Sequence, residues 1–370
     1  MKSKKKRYQV ICFLSFFGLN FFSLKPCLAF TQEKTFIPAT KVVPLSEVMK
    51  PRFISVGHER IYVLETEMSL SVFSTDDFRF LKKFSRKGQG PGEMHGFLPL
   101  LSVSEDGVVI NDLNKIMFFS PDGEFKNQLK ILINFHYAPN HPFLPVDGRF
   151  VGFLAERIEP GKHIRRGQIL DSEFKLIKPF YDPVPSTFPP PGPPPPPESG
   201  KKMDIEVFVD QTFSAVENGR ILVADSRKGF HVSVFDKNGD LLYEIHKNLP
   251  QLKVTKEYKE TYIEGRDPRI YNFKFRENFP AFFGFKIDDG NIYMVTYKEK
   301  DAKNEIIFMN YKGDIIRRSF IFPPQSLMYS PFSSRLYINN CYDIYKNRIY
   351  YLHYNDKDDI FELHVVEIME

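Results

Sequence analysis

A unit that recurs six times constrains this chain more than anything else in it. Each copy has a Gly- or polar-tipped turn, a short apolar β run, a polar loop, a second β run and often another Gly turn. The pattern is clearest over residues 103–125 (VSEDGVVINDLNKIMFFSPDGEF) and 215–242 (AVENGRILVADSRKGFHVSVFDKNGDLL). One such unit is a small sheet that can bury its faces only against neighbouring copies, so a series of them must stack or close into a ring.

The first residues of the second β run are Ile61, Val109, Phe150, Ile221, Ile292 and Ile349, separated by 48, 41, 71, 71 and 57 residues. Six similar sheets with uneven connections point to an all-β fold, a six-bladed β-propeller of four-stranded antiparallel blades. The 38 Phe and 18 Tyr suit strands and a large core. A seventh blade would need a hairpin in a long gap, and no Gly-turn hairpin is present in 183–202 or 250–280. In the fourth unit the four strands read 212–216, 221–224, 231–235 and 241–245, with Asn218-Gly219 and the 236–239 turn supplying positive φ. The 236–240 run resembles a calcium loop but sits where a turn is required. The last unit lacks a fourth strand, and the β-prone segment 35–43 is expected to complete it and close the ring.

Alternating strands put the a–b and c–d turns on one face and the b–c loops and d–a crossovers on the other. All long insertions fall on the second face: crossovers 132–142, 182–210, 247–280 and 318–336, and the charged b–c loops 156–166, 297–304 and 355–359. Elaborated loops on one side of a rigid scaffold are where binding evolves. Segment 254–264 is expected to form a short helix there, acting as a lid. The aromatic run 279–285 could offer a binding surface, and the Pro-rich insertion 183–200 is expected to be an extended spacer or docking ligand.

Residues 1–29 read as a signal peptide: Lys2, Lys4, Lys5, Lys6 and Arg7, an apolar stretch, then cleavage after Ala29, leaving a single domain over 30–370. That segment carries six of the 51 basic residues and no acidic ones, so the remaining chain has 45 against 46. The expectation is a secreted or periplasmic monomer with no membrane insertion after cleavage and no nucleic-acid partner. Of the three cysteines, Cys341 alone lies beyond the signal, which excludes a disulfide framework.

The most distinctive local motif is FSRKGQGPGEMHGF at 84–97. Its glycines match neither phosphate-loop nor dinucleotide spacing, so a sharp blade-to-blade crossover is the reading, with Arg86, Gln89 and Glu93 as candidate ligand contacts. Asp112 and Asp225 recur after the second strand of their units, as loop caps or as acids on the loop-rich face, with Arg227 beside the second. The nine His are scattered, with no H-E-x-x-H and no compact His/Cys cluster; His136 and His141 flank Tyr-Ala-Pro-Asn within one crossover, a spacing that would support a metal only with further partners. The motif Gly88-Gln89-Gly90-Pro91-Gly92-Glu93, followed by Gly-x-(I/L/V)-x-(V/I)-x-Asp units, resembles the bacterial six-bladed β-propeller proteins related to NHL repeats. That resemblance implies a binding or scaffold module for a protein, peptide or glycan, with no cofactor. The alternative it leaves open is a hydrolase, lactonase or lyase holding a divalent metal such as calcium or zinc in the central channel.

Overall fold

The computed structural model describes residues 35–36, 39–95, 99–104, 106–112, 115–131, 136–137, 142–159, 162–185, 202–208, 210–264, 266–301, 303–321 and 341–368. The expected signal segment 1–29, residues 186–200 of the Pro-rich insertion and His141 lie outside them, as do parts of the 132–142 and 318–336 crossovers.

Six antiparallel sheets follow one another along the chain, and all six anchor residues fall in the second strand of their sheets. Blade 1 spans 51–84, blade 2 100–130, blade 3 144–185, blade 4 212–247 and blade 5 284–321. Blade 6 takes three strands from 342–367 and its outer strand from Lys41–Pro44, whose register pairs Lys41 with Val365 and Val43 with Leu363. The expected closure by an N-terminal strand is thus present, with one refinement: Thr35–Phe36 run parallel to the outer strand of blade 5. No seventh blade forms. Residues 203–207 and 271–275 instead make a separate two-stranded parallel sheet.

The second strand of each blade reads as a nearly unbroken apolar run because both of its faces are covered. In Arg60–Glu65, Tyr62 and Leu64 enter a core shared with blade 2, while Ile61 and Val63 enter one shared with blade 6. This is the two-residue period of a strand acting on both sides at once. Four further two-blade cores follow the same logic, and with the one between blades 6 and 1 they make the apolar packing circular. The outer strand of blade 2, Phe125–Lys130, is largely exposed and carries two lysines, which discourages edge pairing.

One turn glycine shows how tightly the repeat is specified. Gly107 has φ +135°, and a Cβ there would be driven into the backbone carbonyl of Phe119. Gly107→Ala is therefore expected to destabilise by about 3 kcal/mol or more, checked by urea unfolding, because strain and a backbone clash add.

Two expectations about the elaborated face are corrected. The b–c segments 156–166 and 297–304 are extended hairpins, with strands Arg149–Glu159 and Lys162–Leu170 in blade 3 and Asn291–Lys300 and Lys303–Asn310 in blade 5. The aromatic run 279–285 is core, with Phe279, Phe282, Phe283 and Phe285 all buried. Phe279 joins Phe208, Val207 and Val254 in a satellite cluster that Tyr258 and Tyr262 of the helix Lys256–Ile263 pack against. Thr255 caps the helix by accepting from the Tyr258 N–H. Five aromatic partners surround Phe208, which makes the helix a fixed part of a roof.

Candidate functional site

The sequence-marked residues separate into two groups. Residues 84–95 fold on themselves between blades 1 and 2. Gly88 N–H donates to the Met94 carbonyl at 2.8 Å, and Met94 N–H to that of Arg86 at 2.9 Å. Glu93 accepts from the Gly90 N–H at 2.9 Å and pairs with Arg86 Nε at 2.6 Å. That backbone hydrogen bond and the Arg86 contact hold the Glu93 carboxyl below its ordinary pKa. Gln89 reaches His95 of the same loop at 3.3 Å, and fully buried Asp112 accepts from the His95 N–H at 2.5 Å. Arg86, Gln89, Glu93 and Asp112 thus bind their own loop and tie it to blade 2. Met94, fully buried, anchors it in the core between blades 1 and 2.

Asp225 and Arg227 sit elsewhere, at the blade 3–4 junction of the crossover face. Asp225 ends strand Arg220–Asp225 and caps the short turn Ser226–Lys228 by accepting from the Arg227 N–H at 3.1 Å. It also takes the Tyr181 hydroxyl at 3.0 Å and the Arg227 guanidinium in a two-point contact. Burial alone would raise the Asp225 carboxyl, but the hydrogen bond and charge of Arg227 outweigh it and hold it below its ordinary value.

Arg227, held by Asp225 behind it, lines a crevice of about 380 Å³ that sequence reasoning missed. Arg165 of strand Lys162–Leu170, Val184, Thr212 and Arg227 line its blade side. Its roof is the parallel pair Met203–Val207 and Tyr271–Phe275, continued by Arg276. A second crevice of about 240 Å³ shares Asp210, Arg227 and Arg276 with it and adds Gln251 and Asn278, so the two form one groove.

The charges in this groove are unequal. Arg276 pairs with Asp210 at 2.7 Å, Lys274 with Asp204, and Arg227 with Asp225. Arg165 is 3% exposed, its Nε is fully buried, and it makes no hydrogen bond or ion pair with any described residue. Burial, reinforced by the charge of Arg227, pushes its pKa down to about 10 despite the opposing pull of Asp225. A buried cation with no partner is costly, and the usual resolution is an anion. Arg166, the next residue, points to the other side of the strand and pairs with Glu156 at 3.2 Å. The two arginines together read as a solvated charge run; the two-residue period of a strand is the signal that separates them.

A larger cavity, about 780 Å³, opens on the opposite face among the short turns of blades 2, 3 and 4. Its charged liners serve the fold: Lys237 pairs with Asp147 at 2.7 Å, and Glu217 accepts from the Gly290 N–H at 3.0 Å and from the Tyr311 hydroxyl at 2.5 Å. Volume alone therefore does not select it over the arginine groove.

No protein-family profile matches the sequence, and no curated relative matches it. Solved structures do match. BamB from Moraxella catarrhalis is 10% identical, with 84% of this chain and 70% of that one covered and a TM-score of 0.31. The WD40 β-propeller domain of Doa1 is 11% identical over 89% and 96%, with a TM-score of 0.38. The Neurospora crassa Pan2 WD40 domain is 8% identical over 87% and 90%, with a TM-score of 0.39. At these values no ligand or residue role passes from them to this chain, and the six-bladed ring rests on the sheets and cores described above.

Proposed function

We propose that this chain is an exported binding module of the NHL-related propeller type, and that its crossover face captures an acidic protein or peptide segment. The observation that carries this reading is Arg165, a buried guanidinium that pairs with no described residue and lines a groove on the loop-rich side. The groove's two joined crevices suit an extended chain, with a carboxylate at Arg165 and Arg227 and backbone amides toward Gln251 and Asn278. Export rests on the basic and apolar character of residues 1–29 and places the mature start at Phe30.

The alternative, a metal-dependent hydrolase, requires carboxylates and His converging in the central channel. Among the described residues, the single such trio within ligand distance lies on the second and third strands of blade 6, not on an innermost strand.

The test uses the chain from residue 30, with fluorescence titration of a labelled Glu-rich peptide and a Gln-rich control. The Glu-rich peptide is expected to bind with a salt-dependent affinity that falls at least tenfold in Arg165→Met and is unchanged in Arg166→Met. Equal affinity for the two peptides, or no effect of Arg165→Met, would overturn the reading.

A further inference from the structure

Blade 6 carries a second cluster, unrelated to the arginine groove. His353 lies on strand Arg348–Asn355, and Glu362 and His364 lie on strand Ile360–Glu367. The register sets His353 opposite Glu362 and Tyr351 opposite His364, so all four side chains share one face of the sheet. Further along that face, Ile349, Tyr351 and Val366 pack into the core between blades 5 and 6. The polar trio thus continues an apolar row toward the crossover face. The ligand atoms of His353, Glu362 and His364 all lie within 4.8 Å of one another, and no other such trio occurs among the described residues.

The surroundings orient the trio. Glu362 Oε2 lies 2.8 Å from His364 Nε2, while its Oε1 accepts from Asn355 Nδ2 at 2.8 Å. The Tyr351 hydroxyl lies 3.1 Å from His364 Nδ1. An outer hydrogen bond on one ring nitrogen, leaving the other toward a carboxylate and a second imidazole, is the arrangement that metal-binding His adopts. The side chains of Glu362 and His364 are 13% and 16% exposed, shielded enough to hold an ion yet open to its entry.

We propose that His353, Glu362 and His364 bind a zinc-class divalent cation at the crossover end of blade 6. Two imidazole nitrogens and one carboxylate oxygen form a three-ligand set that leaves a fourth tetrahedral position for water or a partner's oxygen. Arms of about 2.0–2.1 Å place ligand atoms roughly 3.3 Å apart, so the widest pair need close by only about 1.5 Å. The ion takes the Nε2 lone pair of a neutral His364 imidazole, whose one proton then sits on Nδ1 and is donated to the Tyr351 hydroxyl oxygen, so the ring neither gains nor loses a proton overall. This inference stands whether or not the groove takes acidic peptides.

The test is titration of the metal-stripped chain from residue 30 with Co²⁺, followed by visible absorption, and competition with Zn²⁺. One Co²⁺ per chain with the intense absorption of a four-coordinate ion is expected, displaced by one equivalent of Zn²⁺. His353→Gln and His364→Gln should each weaken binding at least 100-fold, and Tyr351→Phe about tenfold. X-ray absorption at the zinc edge of the unmutated chain makes the result independent of whether the variants fold. Two imidazoles and one carboxylate in its first shell support the proposal. Absence of stoichiometric binding at micromolar metal, a shell lacking imidazole, or affinity unchanged in both folded His variants would overturn it.

Discussion

A chain lacking residues 30–44 is expected to lose about 3–5 kcal/mol of stability and to form soluble aggregates at concentrations where the longer chain stays monomeric. Lys41–Pro44 is the outer strand of blade 6, and its flanks add further bonds: Thr40 N–H to the Val365 carbonyl at 2.7 Å and Leu45 N–H to that of Phe361 at 2.8 Å. Each net hydrogen bond is worth about 1 kcal/mol, and burial of Val43 against the blade 6–1 core adds to them. Removal also bares the edge of strand Ile360–Glu367, a template for pairing with another molecule. Calorimetry and size-exclusion chromatography measure both effects, and a synthetic 30–46 peptide added in trans should restore part of the loss. An unchanged melting temperature in the truncated chain would show that the ring is held shut by its six cores alone.

Arg165→Met is expected to raise the stability of the ligand-free protein by about 2 kcal/mol while removing affinity for acidic peptide. A buried, unpaired cation burdens the folded state, and an apolar side chain of similar length relieves that burden. The direction with pH follows from the lowered guanidinium. Because the folded value of about 10 lies below the unfolded one, the unfolded chain holds the extra proton between them. The penalty is thus complete at neutral pH and shrinks as pH rises above about 10 toward the ordinary arginine value. Melting temperatures between pH 7 and 11 should converge for the two proteins at the alkaline end. A variant that melts lower than the parent at neutral pH would mean that the folded chain already neutralises Arg165.

The ring itself was readable from residue order. Gly- or polar-tipped turns followed by apolar starts locate every second strand, and in blade 4 the four observed strands, Thr212–Glu217, Arg220–Asp225, Phe230–Phe235 and Leu241–Lys247, match the expected ones to within two residues. Charged stretches misled. The 156–166 and 297–304 segments look like solvated loops, yet they continue their strands, because long polar side chains alternate across a hairpin that leaves the ring. The aromatic run 279–285 looked like a surface because composition does not reveal that helix Lys256–Ile263 and Phe208 cover it. Arg165 was hidden by its neighbour Arg166, which answers to the opposite side of the same strand. The blade 6 trio was hidden by register: His353 and Glu362 become neighbours only once the hairpin turn is fixed between Asn355 and Ile360.

Blade 6 also sets an order of events for the molecule. The Thr40 hydroxyl reaches the Val365 carbonyl at 3.0 Å across a sequence separation of 325 residues. Contacts that distant are slow to form, since nearly the whole chain must be organised before they are rewarded. The Lys41–Pro44 strand is therefore among the last to find its place, and five blades can assemble while it waits. Run in reverse, the same seam is where the ring should open first, so the amide hydrogens of Thr40, Lys41, Val42 and Val43 mark the local unlatching of the whole structure.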